Sequence, residues 1–521
     1  MKKKLIVLST LICVLLAFFS CQKKMFTDED ASAEVSDDRF LKTRGANDMV
    51  VESLMGPITS NEITAFKNYI QNYAAPSNND QNVWVFGNPG KAIEASGLMY
   101  NATGNLDILN RMIYYCDKAL AGRNDLASSA NGGQRTVWSG TIAPVWPSTA
   151  SGVSPAGAGV ESGQVIAHMA LCARLILEHS AIWNTTVSTG DPYSFGTTYK
   201  QRALKYITEG DYVMDNWIIP RFVRTSDKKI YFPGAPNTYK PNDPAPWNQM
   251  FMVTNGLIRL LQCHLILNDA ASRVSNYDDI VQANVDWFKA NLTTQTAANG
   301  NTCWNWKYAL GGSTEDTNHA AYDAEGWWIA YDSGRYGLTL NDIKYMANTY
   351  FDIVLTTVTN GIYAGKVDGT TGSGNSGGDS YVRPEYYYLA DIRKDRYFKE
   401  ANINIDNNLI AGSPGSTARI LWLKNRRQQA GDGYVSLYQN CSYGGWKANF
   451  EIGNFLMADI ASHGGVNDDA SSLKVPPGLK VILYTNNSYG GTSLNFTGDD
   501  SCLSDNGNND MTSSLKVQLA P

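Results

Sequence analysis

Apolar positions in the middle of the chain recur at three- and four-residue intervals. The spacing predicts helices over Gly163–Trp183, Lys200–Trp217, Met250–Leu267, Ala320–Tyr331 and Leu340–Val358, since a helix of 3.6 residues per turn needs one apolar face to pack. The connections are rich in Gly, Asn, Ser and Pro, which break helices and turn the chain. No alternation of strand and helix patterns suggests a parallel sheet. Near Gln428–Gly433 a basic stretch gives way to Gly and Asp, and the period drops to two: Val435-Ser436-Leu437-Tyr438 and Val481-Ile482-Leu483-Tyr484 alternate between Gly- and Asn-rich turns. That is the mark of short antiparallel strands. The pattern predicts a large, mostly helical domain over residues 49–430 and a small all-β domain over 432–519.

The N-terminus has a different pattern. Lys2-Lys3-Lys4 precedes an apolar run from Leu5 to Phe19, and Cys21 follows the small Ser20. The run is short for a membrane span and has basic flanks, which is the form of an export signal. With its terminal cysteine, residues 1–21 resemble a bacterial lipoprotein signal. The resemblance implies cleavage before Cys21, lipidation of its thiol and attachment to a bacterial membrane, with the protein periplasmic or on the cell surface. Plain secretion, with Cys21 lost, is the alternative. The tract Gln22–Asp48 is charged and poor in large aliphatics, as expected of a tether.

The small domain contains an internal repeat. Ser471-Ser472-Leu473-Lys474-Val475 recurs as Ser513-Ser514-Leu515-Lys516-Val517. Ahead of each copy an alternating strand runs into Tyr443-Gly444-Gly445 or Tyr489-Gly490-Gly491. Neither half can bury its apolar face alone, so the two should pack as a sandwich. These residues resemble the βγ-crystallin family, a double Greek key. Its aromatic-x6-Gly signature stands at Tyr438–Gly445 and Tyr484–Gly491. Its calcium motif stands at Asn467-Asp468-Asp469-Ala470-Ser471-Ser472 and at Asn509-Asp510-Met511-Thr512-Ser513-Ser514. The resemblance implies Ca²⁺ held by the third and fifth positions, namely Asp469 and Ser471, then Met511 (through its backbone) and Ser513. Oxygen donors of this kind suit a hard cation; the plainer reading is that Asx and Ser build turns.

Composition adds three constraints. The chain has 43% hydrophobic and 18% charged residues, enough for a sizeable core, and a net charge of −6 argues against nucleic acid as a partner. Its 13 Trp and 29 Tyr suit sugar stacking in an exported protein, and equally a large core; the segment Asn301–Trp306 is a candidate groove lining. Cys116, Cys172 and Cys263 fall in apolar helical runs and read as core rather than ligands. Cys441 and Cys502 share the small domain and could form a disulfide outside the cytoplasm. His168 and His264 read as core residues, and His179 and His463 as surface ones. No metalloprotease His pair, nucleophile elbow or phosphate loop occurs.

One cluster in the helical region carries chemistry. Asn318-His319 is followed by Tyr322-Asp323 at the start of an amphipathic run, and His319, Tyr322 and Asp323 are three and four residues apart. Downstream, Arg383-Pro384-Glu385-Tyr386-Tyr387-Tyr388 sets an Arg beside three tyrosines, behind the glycine-heavy tract Gly369–Gly378, which reads as a mobile loop. Residue by residue a structural reading serves as well, with Asn318 as a helix N-cap and Tyr322 as a core aromatic. Together these residues resemble the alginate-lyase-like superfamily of helical-toroid polysaccharide lyases. The resemblance implies an all-α (α/α) toroid that cleaves alginate or a related uronan by β-elimination. It assigns catalysis to Asn318, His319, Tyr322 and Arg383 with Tyr386, Tyr387 or Tyr388, and needs no cofactor for the chemistry.

Such a lyase takes the C5 proton, alpha to a carboxylate, and expels the C4 oxygen. Something must first neutralise the carboxylate, a task for the Asn318 amide and the Arg383 guanidinium. His319 would be the base and a tyrosine the acid, or one tyrosine would do both. Two other readings stand beside this one. The first is a non-catalytic glycan-binding surface lipoprotein. The second is a helical-toroid glycoside hydrolase using Asp323 or Glu325 with Asp379, which requires two carboxylates facing each other across a cleft.

Overall fold

The computed structural model describes residues 48–521 except 74, 77, 81, 86, 150–155, 235–239, 358–361, 371–382 and 407. The signal segment, Cys21 and all of the tether but Asp48 lie outside the described residues. So do Asp379 and the glycine-heavy tract beyond Thr370.

Thirteen α-helices occur among the described residues: α1 Ser60–Asn72, α2 Asn88–Thr103, α3 Leu106–Ala121, α4 Ser162–Leu177, α5 Tyr199–Val213, α6 Ile219–Phe222, α7 Trp247–Leu267, α8 Ala271–Ala290, α9 Thr317–Asp332, α10 Leu340–Asn348, α11 Tyr397–Asp406, α12 Pro414–Gln429 and α13 Met457–Ser462. Local chemistry sets many of their ends. Thr59, Thr198 and Thr339 form capping boxes with Glu62, Gln201 and Asp342 at the starts of α1, α5 and α10. Asn268, in the left-handed region, ends α7. The Leu340–Val358 helix ends early. After α10 the backbone widens through Thr349–Val354 and becomes a strand at Leu355–Thr357, paired with Ile362–Tyr363, where β-branched residues favour extended backbone.

The helices pack in a circuit. α2 contacts α4, α4 contacts α7, and α7 contacts α9; α9 and α12 both contact the Pro384–Asp391 segment, and α12 returns to α2. α3, α5, α8 and α10 lie against α2, α4, α7 and α9 respectively. Close approach is built in at Gly326, where a Cβ would meet the Phe251 ring at 2.4 Å.

Members of this circuit converge on a buried polar cluster. Arg259 of α7 donates from Nη2 to Glu94 Oε1 of α2 (2.6 Å) and from Nη1 to Oε2 (2.9 Å). His168 Nδ1 of α4 is 3.1 Å from the same carboxylate, and the Tyr388 hydroxyl donates to it at 3.2 Å. Arg419 of α12 donates to Glu325 of α9 at 2.7 Å. All of these side chains are buried. Burial would push the Glu94 carboxyl up, but Arg259 and His168 outweigh it and hold it well below the usual range.

Seven of the strands form the C-terminal region: β5 Val435–Asn440, β6 Gly444–Phe450, β7 Gly453–Phe455, β8 Ser472–Lys474, β9 Leu479–Asn486, β10 Gly490–Phe496 and β11 Ser514–Leu519, after the short pairs β1 Thr293–Thr296 with β2 Thr302–Asn305 and β3 Leu355–Thr357 with β4 Ile362–Tyr363. One sheet has the order β6-β5-β8 and the other β10-β9-β11-β7. Each half lends a segment to the other sheet, since β7 pairs with β11 and Asp500 bridges to Leu473 of β8. Cys441 and Cys502 are disulfide-bonded across the halves. The repeated serine has the same task in both. Ser472 Oγ donates to Asn440 O and accepts from Tyr443 N, and Ser514 Oγ donates to Asn486 O and accepts from Tyr489 N.

This region packs on the helices. Arg427 of α12 donates to Pro477 O at 3.1 Å, Gly56 N donates to Gly433 O, and a Cβ at Gly478 (φ +88°) would lie 2.7 Å from Asp395 O. The apolar core runs on from one part into the other.

Two measurements test these packing arguments. Arg259→Met strands the Glu94 carboxylate in the core and should cost about 3–5 kcal/mol in urea unfolding, most of it recovered in Glu94→Leu/Arg259→Met. His264 is partly desolvated, which opposes its charge, yet its bonds to Asp211 (3.0 Å) and Asp269 (2.6 Å) raise its pKa overall. Its contribution is full below about 6.5 and is lost as pH rises through the folded-state value. Stability should therefore fall with rising pH across that window, and His264→Gln should flatten the slope.

Candidate functional site

Asp316 caps α9: its Oδ1 accepts from Asn318 N and His319 N, both at 3.0 Å. Asn318 is therefore not the cap, and its side-chain amide is not spent on helix initiation. The segment leading into the helix is held on several sides. Thr317 N donates to Gly365 O, and Glu315 N to Trp306 O. The Tyr386 hydroxyl donates to Thr317 O at 2.7 Å.

Asn318, His319 and Tyr322 share a half-buried face at this end of α9. His319 packs on the Tyr308 ring, with centroids 5.0 Å apart. The guanidinium carbon of Arg383 is 5.9 Å from the Tyr322 ring centroid, so the fold brings together an amide, an imidazole, a phenol and a guanidinium from two distant chain segments. These groups can bind a carboxylate, accept a proton and donate one.

Asp323 does not share that face. It is fully buried, and its Oδ2 accepts from Trp306 Nε1 at 2.8 Å. Trp306 is correspondingly a core residue that holds this carboxylate rather than a groove lining. Beside Asp323 lies the buried Glu315. Burial pushes the Asp323 carboxyl up to about 7, and burial with the Asp323 charge pushes Glu315 well up.

The tyrosines after Arg383 are placed differently from the expectation. Tyr386 is buried, stacked on Tyr350 at 4.2 Å between centroids, with its hydroxyl committed to Thr317 O. Tyr387 is buried, with its hydroxyl on Asn404. Tyr388 is stacked on Trp328 and bonded to Glu94. Pro384–Asp391 winds as a tight three-residue-per-turn helix, in which three consecutive side chains point three ways, and here all three find partners in the core. Tyr322, on α9, is the half-buried tyrosine beside Arg383.

The ligand atoms of Glu315, Asp316 and His319 lie within 4.8 Å of one another, close enough for a metal ion. Two hydrogen bonds already link the three, Asp316 N to Glu315 Oε1 and His319 Nδ1 to Asp316 Oδ2.

In the β region the two motif loops face each other. Ser471 Oγ donates to Asp510 Oδ1 at 3.0 Å, and Ser513 Oγ to Asp468 Oδ1 at 2.8 Å. Asp468 N donates to Thr512 O, and Asp510 N to Ala470 O. Each loop thus offers a serine next to the other loop's aspartate. The Asp469 side chain accepts at Oδ2 from Gln439 Nε2 (3.1 Å) and Trp446 Nε1 (3.0 Å). Met511 is exposed, with its side chain in solvent. Asp468 and Asp510, the second residue of each motif, were legible in the repeat but were not among the expected ligands.

No family model matches the chain. Development-specific protein S of Myxococcus xanthus is 32% identical over 87 residues, which is 17% of this chain and 49% of that protein. Its homolog from the same organism is 30% identical over 87 residues. The chain spans about half the length of these curated relatives. Among solved structures, a βγ-crystallin domain from Flavobacterium johnsoniae shares 36% identity over 16% of this chain and 94% of that one, with a TM-score of 0.16. The N-terminal domain of Protein S shares 31% identity over 17% and 98% respectively, with the same TM-score. With the repeat, the exchanged strands and 32% identity to development-specific protein S over 87 residues, the segment from β5 to β11 is a βγ-crystallin-like domain.

Proposed function

We propose that the protein is a polysaccharide lyase that cleaves a uronic-acid-containing polymer, alginate or a related uronan, by β-elimination. The observation that carries this reading is the meeting of Asn318, His319, Tyr322 and Arg383 at the start of α9. Asn318 and Arg383 bind the uronate carboxylate and draw charge onto it, which acidifies the C5 proton. His319 takes that proton. The C5–H electron pair becomes the C4=C5 double bond as the C4–O bond breaks, and Tyr322 protonates the departing oxygen. Water is not consumed, and the product is an unsaturated uronate.

The circuit α2–α4–α7–α9–(Pro384–Asp391)–α12 supports a toroid, with α3, α5, α8 and α10 as outer members. A hydrolase is less well supported. Asp323 is bound to Trp306 inside the core and Glu325 is paired with Arg419, so neither carboxylate faces a cleft as that chemistry requires. The cysteine-terminated signal supports export and lipid anchoring through Cys21. The paired loops of the crystallin-like domain support Ca²⁺ binding: Asp468 with Ser513 and Asp510 with Ser471 supply oxygens of the kind a hard cation takes, with backbone carbonyls to complete each set. Calcium would serve stability there and take no part in the elimination.

Incubation with a panel of uronate polymers, followed by the ultraviolet absorbance of unsaturated product, tests the lyase reading. His319→Ala should abolish turnover and Tyr322→Phe should lower kcat by about 10²–10⁴-fold, whereas Tyr386→Phe should stay within a few-fold of the native protein. A flat trace from folded native protein across the panel would reject the reading in favour of glycan capture. Calcium titration of the same protein should raise its melting temperature in a concentration-dependent way, and Asp468→Ala/Asp510→Ala should abolish that rise.

A further inference from the structure

His319 is held by an acid that the lyase reading does not use. Asp316 places one oxygen on each of two tasks. Oδ1 caps α9 through Asn318 N and His319 N, and Oδ2 lies 2.7 Å from His319 Nδ1. A carboxylate only accepts, so the proton between Oδ2 and Nδ1 belongs to the imidazole, and Nε2 is left as the basic nitrogen. The cap and the imidazole contact arise from one side chain, so the group that starts α9 also orients the ring.

Asp316 is itself held in place from below. Its N–H donates to Glu315 Oε1 at 2.9 Å, and its backbone bridges to Lys366. Glu315 and Asp323 are each completely buried. Glu315 Oε2 and Asp323 Oδ1 have no donor among the described residues, and neither acid has a cation within ion-pair distance there. Two such carboxylates cannot both stay ionised next to each other in a core. One of the two therefore carries a proton. The other Asp323 oxygen takes the Trp306 N–H, and Asp316 is the acid hydrogen-bonded to the imidazole.

We infer that Asp316 is a positioning residue for His319: it fixes the ring with Nδ1 protonated and turns Nε2, as proton acceptor, toward the face shared with Asn318 and Tyr322, on a turn that Glu315 braces through the Asp316 N–H. The role rests on the lyase reading, whereas the tautomer does not. Misplacing the proton of a catalytic imidazole in this way costs about 10⁴-fold where an acid–imidazole pair serves a serine nucleophile.

The test is nitrogen NMR of the full chain labelled at histidine. The chain has five histidines, and the signals lost in His319→Gln identify the ring. In the native protein above the titration range, His319 should carry its proton on Nδ1. Asp316→Asn can still cap the helix through its carbonyl oxygen but offers an N–H to Nδ1, so the proton should move to Nε2. kcat on a uronate polymer should then fall by about 10²–10⁴-fold with KM changed little. A native ring protonated on Nε2 overturns the inference, even if Asp316→Asn fails to fold. So does an Asp316→Asn protein that switches tautomer while an active native enzyme loses no rate. If the native tautomer is as stated and switches in the variant, yet native protein turns over no uronan, Asp316 stands as the group that orients His319 and the lyase reading falls alone.

Discussion

The bidentate contact of Arg259 with Glu94 is the constraint around which the helical part is arranged. Glu94 sits on α2 and Arg259 on α7, and the carboxylate also takes His168 from α4 and Tyr388 from the segment between α9 and α12. A buried ion is tolerated only when its hydrogen-bonding capacity is met. Here it is met by groups from three other chain segments that must arrive together. The Arg419–Glu325 pair does the same for α12 and α9. Apolar packing would hold these helices together in several relative positions, and the charges select one.

That selection reaches the candidate site through α9 and the tyrosine segment. Glu325 anchors α9 in the core, which sets the rotation of the helix. His319 and Tyr322, one to two turns earlier, then fall on the half-buried face, while Asp323 turns inward to Trp306 and Glu315. Tyr388 is drawn to Glu94, and Tyr386 reaches Thr317 O, beside the cap of the same helix. The tyrosines that follow Arg383 in sequence are thus the framework that brings Arg383 to Tyr322.

The crystallin-like domain obeys a different rule. Its stability comes from duplication, because each half completes the other's sheet and each motif loop sets its serine against the other's aspartate. Its attachment depends on backbone contacts, with Gly478 allowing close approach to Asp395 O and Arg427 bonding Pro477 O. Arg427 belongs to α12, which also carries Arg419, so one helix links the charge cluster to the β domain.

Much of this was legible from residues alone, for a physical reason. Helix and strand periods, capping residues and the repeated Ser-Ser-Leu-Lys-Val are local, since the groups that decide them lie within a few residues of one another. The α4, α5, α7 and α9 helices, the duplicated strands and the Asn318–Tyr322 cluster could therefore be read directly. The burial of Trp306 and Asp323, the bond of the Asp469 side chain to Trp446 and the commitment of Tyr386 and Tyr387 to core partners could not. Each depends on a group distant in sequence, such as Thr317 O for Tyr386 or Trp446 for Asp469. Local sequence determined which chemical groups were available and on which elements. Tertiary structure decided which of them were consumed as internal hydrogen-bond partners, because a buried polar group must be satisfied wherever the fold puts it.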